Sequence, residues 1–278
     1  MTEILSINGQ PAHILDDSNY SDYVPDQEYR LKDHLGNEYF TGCLPVEEWD
    51  VARMCSMPFE ASGIVEYDEQ EIKERLEDMW ASQASLMHIG YDYDSLHQTR
   101  GTCWIHGTCG AAALMLAADG LPYRVPSPAS VAYHCYHNFG VRGGYPSLGV
   151  DKFQQHGACT TELWPENGHS SRYDTRESKD DRKHQLLEEV VEAGSGERGF
   201  LRCMSAICQG HPVGLSFSYW RHYVYGCWGR VSQGEIKLGI RNSWGNGWGD
   251  RGFSLLAGTK RFPSWSCIFL RMRQSPGA

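Results

Sequence analysis

Strand-like patterns follow one another beyond residue 210, and a series of helical patterns precedes them from residue 68 onwards. The runs HPVGLSFSYW, HYVYGCWGRV and EIKLGIRNSW follow one another, and Ile236, Leu238 and Ile240 alternate with a period of two residues. The residues SQG supply a turn between the second and third runs. The earlier patterns predict helices over 68–86, 103–118, 128–138, 148–156 and 198–209. This segregation predicts an α+β architecture and is compatible with two lobes.

Two polar segments lack these patterns. Residues 1–66 are acidic and rich in turn-forming residues, and the run DQEYRLKDHLGNEYF predicts a short hairpin around His34–Asn37. Residues 166–185 are polar throughout, so we expect an exposed loop there.

Composition narrows the classes of partner. The net charge of −10 argues against nucleic acid as a partner, because phosphate binding needs a basic surface. No run approaches about 18 consecutive apolar residues, so we expect no membrane span. The first residues lack the pattern of a secretory signal, and the ten cysteines are scattered along the chain. We therefore expect mostly reduced thiols and a cytoplasmic, virion-associated or phage-associated location.

Cys103 stands at the beginning of the predicted helix in GTCWIHGTCGAAALM, and this position has two interpretations. The residue could be a small buried core residue, because cysteine is among the most buried residue types. It could also be a nucleophile, because a helix N-terminus stabilises a thiolate. Cys109 lies more than one helical turn further along, and we expect it to face elsewhere. A nucleophilic thiol also needs a base and a group that orients that base.

Three motifs follow one another along the chain and contain candidates for the base and for the group that orients it. They are QTRGTCW from Gln98 to Trp104, GGYP from Gly143 to Pro146, and His222 at a predicted strand start followed by NSWGNGWG from Asn242. In these motifs the chain resembles the papain family of cysteine peptidases over roughly residues 96–258. The resemblance implies a papain-like two-lobed fold, with a helical lobe from about residue 90 and an antiparallel β lobe from about residue 210.

The resemblance also implies the roles of the site residues. Cys103 would attack a carbonyl carbon, His222 would accept and return the proton, and Asn242 would orient the imidazole. Gln98 and the N–H of Cys103 would form the oxyanion hole. Trp244 would shield the bond between Asn242 and His222. The remaining implied substrate-binding residues line the cleft: Gly143, Gly144, Tyr145 and Pro146. The substrate would be a protein or peptide, with no metal and no organic cofactor.

The sequence departs from the family pattern at several positions. Gln98 precedes Cys103 by five positions, where the family usually has six, which changes the loop that shapes the oxyanion hole. His106 replaces a typical phenylalanine, and Tyr223 would narrow the pocket for the substrate residue two before the scissile bond.

Residues 1–88 form an N-terminal extension to a peptidase domain over 89–278. The extension is a self-inhibitory segment, a permanent structural element or a docking module. The function implied by the resemblance is thiol-dependent peptide-bond hydrolysis. The alternatives are a non-catalytic papain-like module docked to a larger assembly through the extension, and a transpeptidase or ligase that uses the same site.

Overall fold

The computed structural model describes residues 11–26, 30–32, 36–45, 57–77, 94–119, 124–135, 143–183 and 185–274. The helices in these ranges are α1 (Glu69–Glu77), α2 (Cys103–Ala118), α3 (Pro128–Ala132), α4 (Pro146–His156), α5 (Arg176–Arg182) and α6 (Gly196–Cys208). The strands are β1 (Ile14–Leu15), β2 (Arg30–Lys32), β3 (Glu38–Phe40), β4 (Gln185–Gly194), β5 (Val213–Phe217), β6 (His222–Ser232), β7 (Glu235–Arg241), β8 (Phe253–Leu256) and β9 (Trp265–Gln274). Short 3-10 turns cover Tyr20–Tyr23, Phe59–Ala61, Ser171–Tyr173 and Gly258–Arg261.

Seven strands form one sheet in the order β1-β8-β7-β6-β5-β9-β4. All neighbours are antiparallel except β1, which runs parallel to β8. The α+β class is therefore confirmed. The expectation that strands begin near residue 210 is wrong, because β4 begins at Gln185 and pairs with β9 at the edge of the sheet. Helix α6 thus lies between two strands of the sheet in sequence.

The sheet is buried on both faces, because successive strand residues point in opposite directions. On β6, Tyr223 and Tyr225 join the hydrophobic cluster that contains α2, whereas Val224 joins a second cluster with Phe200 of α6. Helices α2, α3 and α4 cover one face, and α6 with α1 covers the other.

The central helix α2 carries almost no exposed surface. Its residues from Cys103 to Ala117 are all buried. Two glycines let it approach β6 closely: a Cβ added at Gly107 would lie 2.8 Å from the Tyr223 ring, and one added at Gly110 would lie 2.3 Å from the Tyr225 ring. The run of small residues in this helix therefore sets the distance between the element that begins at Cys103 and the strand that begins with His222.

The N-terminal residues pack directly onto the rest of the chain. Strand β1 extends the sheet through its register with β8. Helix α1 packs on α6 through Ile72 and Leu76, which are both buried. The side chain of Arg202 on α6 bridges Glu60 at 2.6 Å and Glu66 at 3.2 Å. The predicted helix over 68–86 is confirmed from Glu69 to Glu77, and its remainder and the boundary near residue 88 lie outside the described residues.

Other predicted elements have mixed outcomes. The hairpin is confirmed as the antiparallel pair β2 and β3, although residues 33–35 lie outside the described ranges. The helix expected over 148–156 begins at Pro146, because proline suits the first helical turn. The helix expected over 198–209 is observed from Gly196 to Cys208. The helix expected over 128–138 ends at Ala132, and residues 136–142 are not described.

The expectation of an exposed loop over 166–185 is wrong. This stretch contains a 3-10 turn and helix α5, which begins where the Thr175 side chain accepts a hydrogen bond from the Ser178 N–H. Ser178 and Arg182 are buried, and the Arg182 guanidinium pairs with Asp174 at 2.8 Å. Polar residues can be buried here because hydrogen bonds and an ion pair satisfy them.

No helix in the described ranges is long and apolar enough to cross a membrane.

The close approach of α2 to β6 generates a stability prediction. Replacing Gly110 with alanine places a methyl group against the Tyr225 ring, and we expect the free energy of unfolding to fall by about 1–3 kcal/mol despite the better helix propensity of alanine. Gly247→Ala is the control, because a Cβ at Gly247 meets no atom within 4 Å. Urea unfolding of both variants measures the difference. Equal stabilities would mean that the Tyr225 ring moves aside without cost.

Candidate active site

The three predicted triad residues lie at the ends of neighbouring elements. Cys103 is the first residue of α2, His222 is the first residue of β6, and Asn242 directly follows β7. Because β6 and β7 are antiparallel neighbours, His222 and Asn242 lie side by side. The Nε2 atom of His222 lies 2.6 Å from Oδ1 of Asn242, and all three residues are buried.

The bond between His222 and Asn242 fixes the tautomer of the imidazole. Oδ1 of Asn242 also accepts the backbone N–H of Ser243 at 2.7 Å, so this atom is an acceptor and the amide orientation is determined. The Nε2 atom of His222 must therefore carry the proton and donate it. The other ring nitrogen, Nδ1, keeps its lone pair, is buried and has no hydrogen-bond partner among the described residues. It is available to accept a proton.

The Cys103 thiol lies against the strand that carries the imidazole. The backbone N–H of Tyr223, the residue after His222, points at the thiol, as do the N–H groups of Trp104 and Cys43. Three N–H donors around one sulfur favour its negatively charged form. The sequence alone could not predict the donor from Cys43.

Trp244 covers the paired imidazole and amide. The centroids of the Trp244 and His222 rings are 4.6 Å apart, and Trp220 contacts the imidazole from a second direction at 4.9 Å. Trp244 is 2% exposed and Trp220 is fully buried. The two indoles therefore cover the bond between His222 and Asn242 and leave it little access to water.

The oxygen and the nitrogen of the Gln98 side-chain amide are both hydrogen-bonded, although the loop between Gln98 and Cys103 is short. Its Oε1 accepts the hydroxyl of Ser243, and its backbone N–H donates to the Ser243 carbonyl at 2.8 Å. Its Nε2 donates to the carbonyls of Arg100 at 2.9 Å and of Phe40 at 2.8 Å. The side-chain amide thus presents a donor to a backbone carbonyl that comes from a distant part of the chain.

The glycine pair meets the same segment. A Cβ added at Gly143 would lie 2.8 Å from the carbonyl oxygen of Gly42, and Gly144 exchanges backbone hydrogen bonds on either side of Cys43. A Cβ at Gly144 would strike the indole of Trp104, so this glycine is also required by packing on α2. Tyr145 is half-buried at the N-cap of α4 and Pro146 is buried in its first turn, so the observed contacts of both are those of a helix start.

Residues 40–44 lie between Gln98, the pair Gly143 and Gly144, and the carbonyl of Arg221. The N–H groups of Gly42 and Cys43 donate to the carbonyl of Arg221 at 3.1 and 3.0 Å. On the opposite side, Gly144 donates to Gly42 at 2.9 Å and accepts from Leu44 at 3.1 Å, which makes Cys43 and Gly144 a parallel bridge.

The same segment is anchored at its beginning. The Phe40 carbonyl accepts from the Trp244 indole at 2.7 Å as well as from Gln98. The Tyr39 ring stacks on Trp244 with centroids 4.8 Å apart. We call residues 40–44 the plug. No spacing or motif in the first 88 residues distinguishes the plug from its surroundings, so the sequence analysis did not find it.

A cavity of about 330 Å³ remains beside the plug. Cys43, Leu44 and Pro45 form one wall, and Ser216, Phe217, Ser218, Arg221, Ser264 and Trp265 form the other. Tyr223 is not part of this lining. Its side chain is fully buried behind α2, and its hydroxyl lies 3.5 Å from the Cys267 sulfur, so the expectation that Tyr223 narrows the pocket is wrong.

Comparisons with known proteins agree on one architecture. Xylellain, a cysteine protease from Xylella fastidiosa, superposes with a TM-score of 0.56 at 16% identity, covering 83% of this chain and 96% of that one. Procathepsin L 3 from the Tenebrio molitor larval midgut has a TM-score of 0.55 at 14% identity, covering 89% and 76%. The chain has the papain-like cysteine peptidase fold.

A third papain-like structure, procathepsin B from Trypanosoma congolense, has a TM-score of 0.55 at 13% identity, covering 84% of this chain and 87% of that one. No family model matches the sequence. No curated protein matches it either. The papain-like fold is thus carried by a sequence that has diverged widely from these structures.

Within this papain-like fold the plug changes the electrostatics of the site. Burial raises the pKa of the Cys103 thiol well above its usual range, and the nearby Cys43 thiol raises it further. Burial lowers the pKa of His222 to about 3, although the bond to Asn242 opposes the shift. Thiol and imidazole are therefore both neutral at neutral pH while the plug is in place.

The other thiols and histidines near α2 are structural. Cys109 is fully buried near Cys135 and Cys159, and burial raises the pKa of its thiol, so the expectation that it faces away from the site is met. His106 is also buried, with Nδ1 2.9 Å from the carbonyl of Thr102 and Nε2 without a partner. In the described part of the chain, no three His, Cys, Asp or Glu side chains converge as metal ligands.

The neutral state of His106 predicts a dependence of stability on pH. Burial lowers the pKa of His106 from 6.5 to about 3, so between these values the unfolded chain binds a proton that the folded chain does not. Stability from this residue is therefore complete above pH 6.5 and is lost as the pH falls. His106→Phe should remove about 2 kcal/mol of the loss between pH 7 and pH 5.

Denaturant unfolding at the two pH values measures that loss for each chain. His134, His169 and His222 also have lowered pKa values, so both chains should lose stability as the pH falls. The parent chain should lose more than the variant, because it also carries His106. Equal losses in both chains would mean that His106 is protonated in the folded state.

Proposed function

We propose that this chain is a latent, thiol-dependent peptidase in which Cys103 is the nucleophile. The observation that carries the proposal is the 2.6 Å bond between Nε2 of His222 and Oδ1 of Asn242, which leaves Nδ1 as the proton acceptor beside α2. An unpartnered buried nitrogen costs roughly 1–3 kcal/mol, and the Nε2 of His106 bears the same cost, so what sets His222 apart is its bond to the Asn242 amide. A strained arrangement of this kind is expected at a catalytic site.

The proposed reaction is acyl transfer to a thiol. Cys103 loses its proton to Nδ1 of His222, attacks the carbonyl carbon of a peptide bond and forms a thioester. His222, now an imidazolium, returns the proton to the departing amine, while Asn242 holds its ring. Water then attacks the thioester by the reverse proton transfers. Once the plug leaves, Nε2 of Gln98, which donates to the Phe40 carbonyl in the closed chain, and the N–H of Cys103 would stabilise the oxyanion.

The substrate would replace the plug. Gly144 offers one N–H and one C=O to a peptide backbone, and the plug already uses both. Gly143 leaves the space for that backbone to approach. A side chain next to the reacting bond would enter the cavity lined by Ser216, Arg221 and Trp265. An extended peptide added to an exposed backbone edge in this way gains affinity from main-chain bonds.

The plug itself is not presented as a substrate. A peptide that is cleaved must place a carbonyl carbon at the thiol, whereas the plug presents the N–H of Cys43. The carbonyls on either side are engaged elsewhere, that of Phe40 by Gln98 and that of Gly42 by Gly144. The plug therefore blocks the cleft without being cut. Two of the compared structures are proforms by their titles, which supports this interpretation.

A second function is favoured by the same observation. If the plug never leaves, the fold is a non-catalytic module, which could dock to a larger assembly through its N-terminal residues. The two functions differ in one property: a latent peptidase opens and exposes an activated thiolate, and a structural module does not. An experiment that displaces the plug separates them.

Gly42 offers a way to displace the plug without touching the site. Its φ is 147° and an added Cβ would lie 2.5 Å from the Gly101 carbonyl oxygen, so Gly42→Ala forces the plug away from that loop. We expect labelling of Cys103 by an epoxysuccinyl inhibitor to become at least about tenfold faster, because the rate follows the open fraction. Gly63→Ala is the matched control, since Gly63 has φ 79° and free space around it.

Intact-mass spectrometry over time measures the labelling. Cys103→Ala in the Gly42→Ala background should abolish the adduct, and His222→Ala should slow it by roughly 100-fold. Turnover of an unfolded protein by Gly42→Ala would then establish hydrolysis. A Gly42→Ala chain that remains folded, gives no adduct and cuts nothing would support the non-catalytic module instead.

A further inference from the structure

We propose that Cys43 is a resolving thiol that forms a disulfide with Cys103 under oxidising conditions and locks the plug in the cleft. This inference rests on the proposed function, because it treats Cys103 as a reactive thiol, and it names how the same site would be regulated. The partner is a low-molecular-weight disulfide such as oxidised glutathione.

The two cysteines meet at the centre of the cleft. Both belong to one buried hydrophobic cluster, and Gly42 of the plug packs against Gly101, two residues before Cys103. The N–H of Cys43 donates to the carbonyl of Arg221, the residue before His222, and the Cys43 thiol raises the pKa of Cys103. In the reduced structure the Cys43 thiol is turned to the hydroxyl of Ser216, at 3.3 Å. The thiol also lies 3.6 Å from the carbonyl of Leu44. Both contacts of the sulfur are weak hydrogen bonds, so the side chain can rotate about its χ1 angle.

The plug holds Cys43 in this position from both sides. The Arg221 carbonyl accepts from the N–H of Gly42 and of Cys43, and Gly144 bonds to Gly42 and Leu44. Four backbone bonds therefore fix the main chain of residue 43 while leaving its side chain without a strong partner. A thiol held in contact with another thiol has a high effective concentration, which favours its attack over that of a free thiol in solution.

The closed, reduced chain resists oxidation. Both sulfurs are fully buried, and burial raises the pKa of Cys43 to about 12, so neither thiol is ionised or accessible. Reaction requires the plug to leave briefly. In the open state the proposed pairing with His222 would make Cys103 a thiolate, which is the form that attacks disulfides.

The chemistry is two successive thiol–disulfide exchanges. The Cys103 thiolate attacks one sulfur of oxidised glutathione, forms a mixed disulfide and releases one glutathione thiolate. When the plug returns, Cys43 loses its proton and attacks the Cys103 sulfur, which expels the second glutathione thiolate. The net change is that two protein thiols and one glutathione disulfide become one protein disulfide and two glutathione thiols. Reduction by a dithiol reverses both steps.

The remaining described cysteines do not compete for Cys43. Cys109, Cys135 and Cys159 lie together around α2, Cys203 and Cys208 lie on α6, and Cys227 and Cys267 are buried on β6 and β9, where the Cys267 sulfur faces the Tyr223 hydroxyl. Cys208 is half-buried and distant from the plug, so Cys208→Ser is a control for general loss of a thiol.

The test incubates the full-length chain with oxidised glutathione, blocks free thiols with N-ethylmaleimide and maps disulfides by mass spectrometry without reduction. We expect a peptide pair joined through Cys43 and Cys103 in the parent chain and in Cys208→Ser. Cys43→Ser should instead accumulate one glutathione on Cys103, because the second exchange has no thiol. Cys103→Ser should give neither product.

A second readout links the disulfide to the site. Epoxysuccinyl labelling of the oxidised parent chain should be at least about tenfold slower than that of the reduced chain, and dithiothreitol should restore it. The absence of a Cys43–Cys103 peptide overturns the inference, whether or not Cys103 carries glutathione. Linkage of Cys43 to any other cysteine also overturns it.

The outcomes distinguish this inference from the proposed function. Labelling of Cys103 in Gly42→Ala without a disulfide in the parent chain would leave the peptidase and remove the redox lock. A Cys43–Cys103 disulfide in a chain that never labels or cleaves would leave the lock and remove the peptidase.

Discussion

The packing of α2 against β6 is the contact on which the site depends. One element begins with Cys103 and the other begins with His222, so the distance between their axes sets where thiol and imidazole can meet. That distance is short because Gly107 and Gly110 face Tyr223 and Tyr225 without side chains between them. The aromatic rings are in turn locked by the buried core, which makes the spacing rigid rather than adjustable. The geometry of the candidate site is a consequence of core packing.

Two sets of residues bury the site, and they differ in whether they stay in place when the cleft opens. Trp220 and Trp244 belong to the core and cover the His222–Asn242 bond in every state of the cleft. The plug covers Cys103 and is held by main-chain bonds to Arg221 and Gly144, each worth roughly 1 kcal/mol net because water replaces it on opening. In the proposed mechanism the orienting bond would therefore persist while Cys103 alternates between buried and exposed. This separation allows a chain to be folded and inactive at the same time.

Local motifs made the site largely predictable from the sequence. Cys103, His222 and Asn242 each stand at an element boundary marked by neighbouring residues, and the structure pairs His222 with Asn242 on strands next to the helix that begins at Cys103. Strand β4 was missed because its pairing with β9 contains register shifts, which break the period-two alternation that reveals a strand. The fold of 166–185 was missed because burial of Arg182 depends on its partners, not on its own polarity.

The plug was missed for a different physical reason. Its residues are held by main-chain groups of Arg221 and Gly144, and main-chain bonds leave no signature in side-chain identity. Among the plug residues, Gly42 is the one whose identity reflects this backbone arrangement, because its φ of 147° and its contact with Gly101 disfavour any side chain. A single glycine in a turn-rich stretch cannot be distinguished from a turn glycine by sequence alone.

In the proposed mechanism, opening the cleft would move a proton without exchanging one with solvent. In the closed state the Cys103 thiol and His222 are neutral, because burial opposes charge on both. In the open state the proton can pass from sulfur to Nδ1, which gives a thiolate and an imidazolium with the same number of bound protons. Near neutral pH the equilibrium therefore gains no driving force from pH. The closed state must be maintained by the backbone bonds and packing of the plug, so steric displacement at Gly42, rather than a change of pH, is the direct means of opening it.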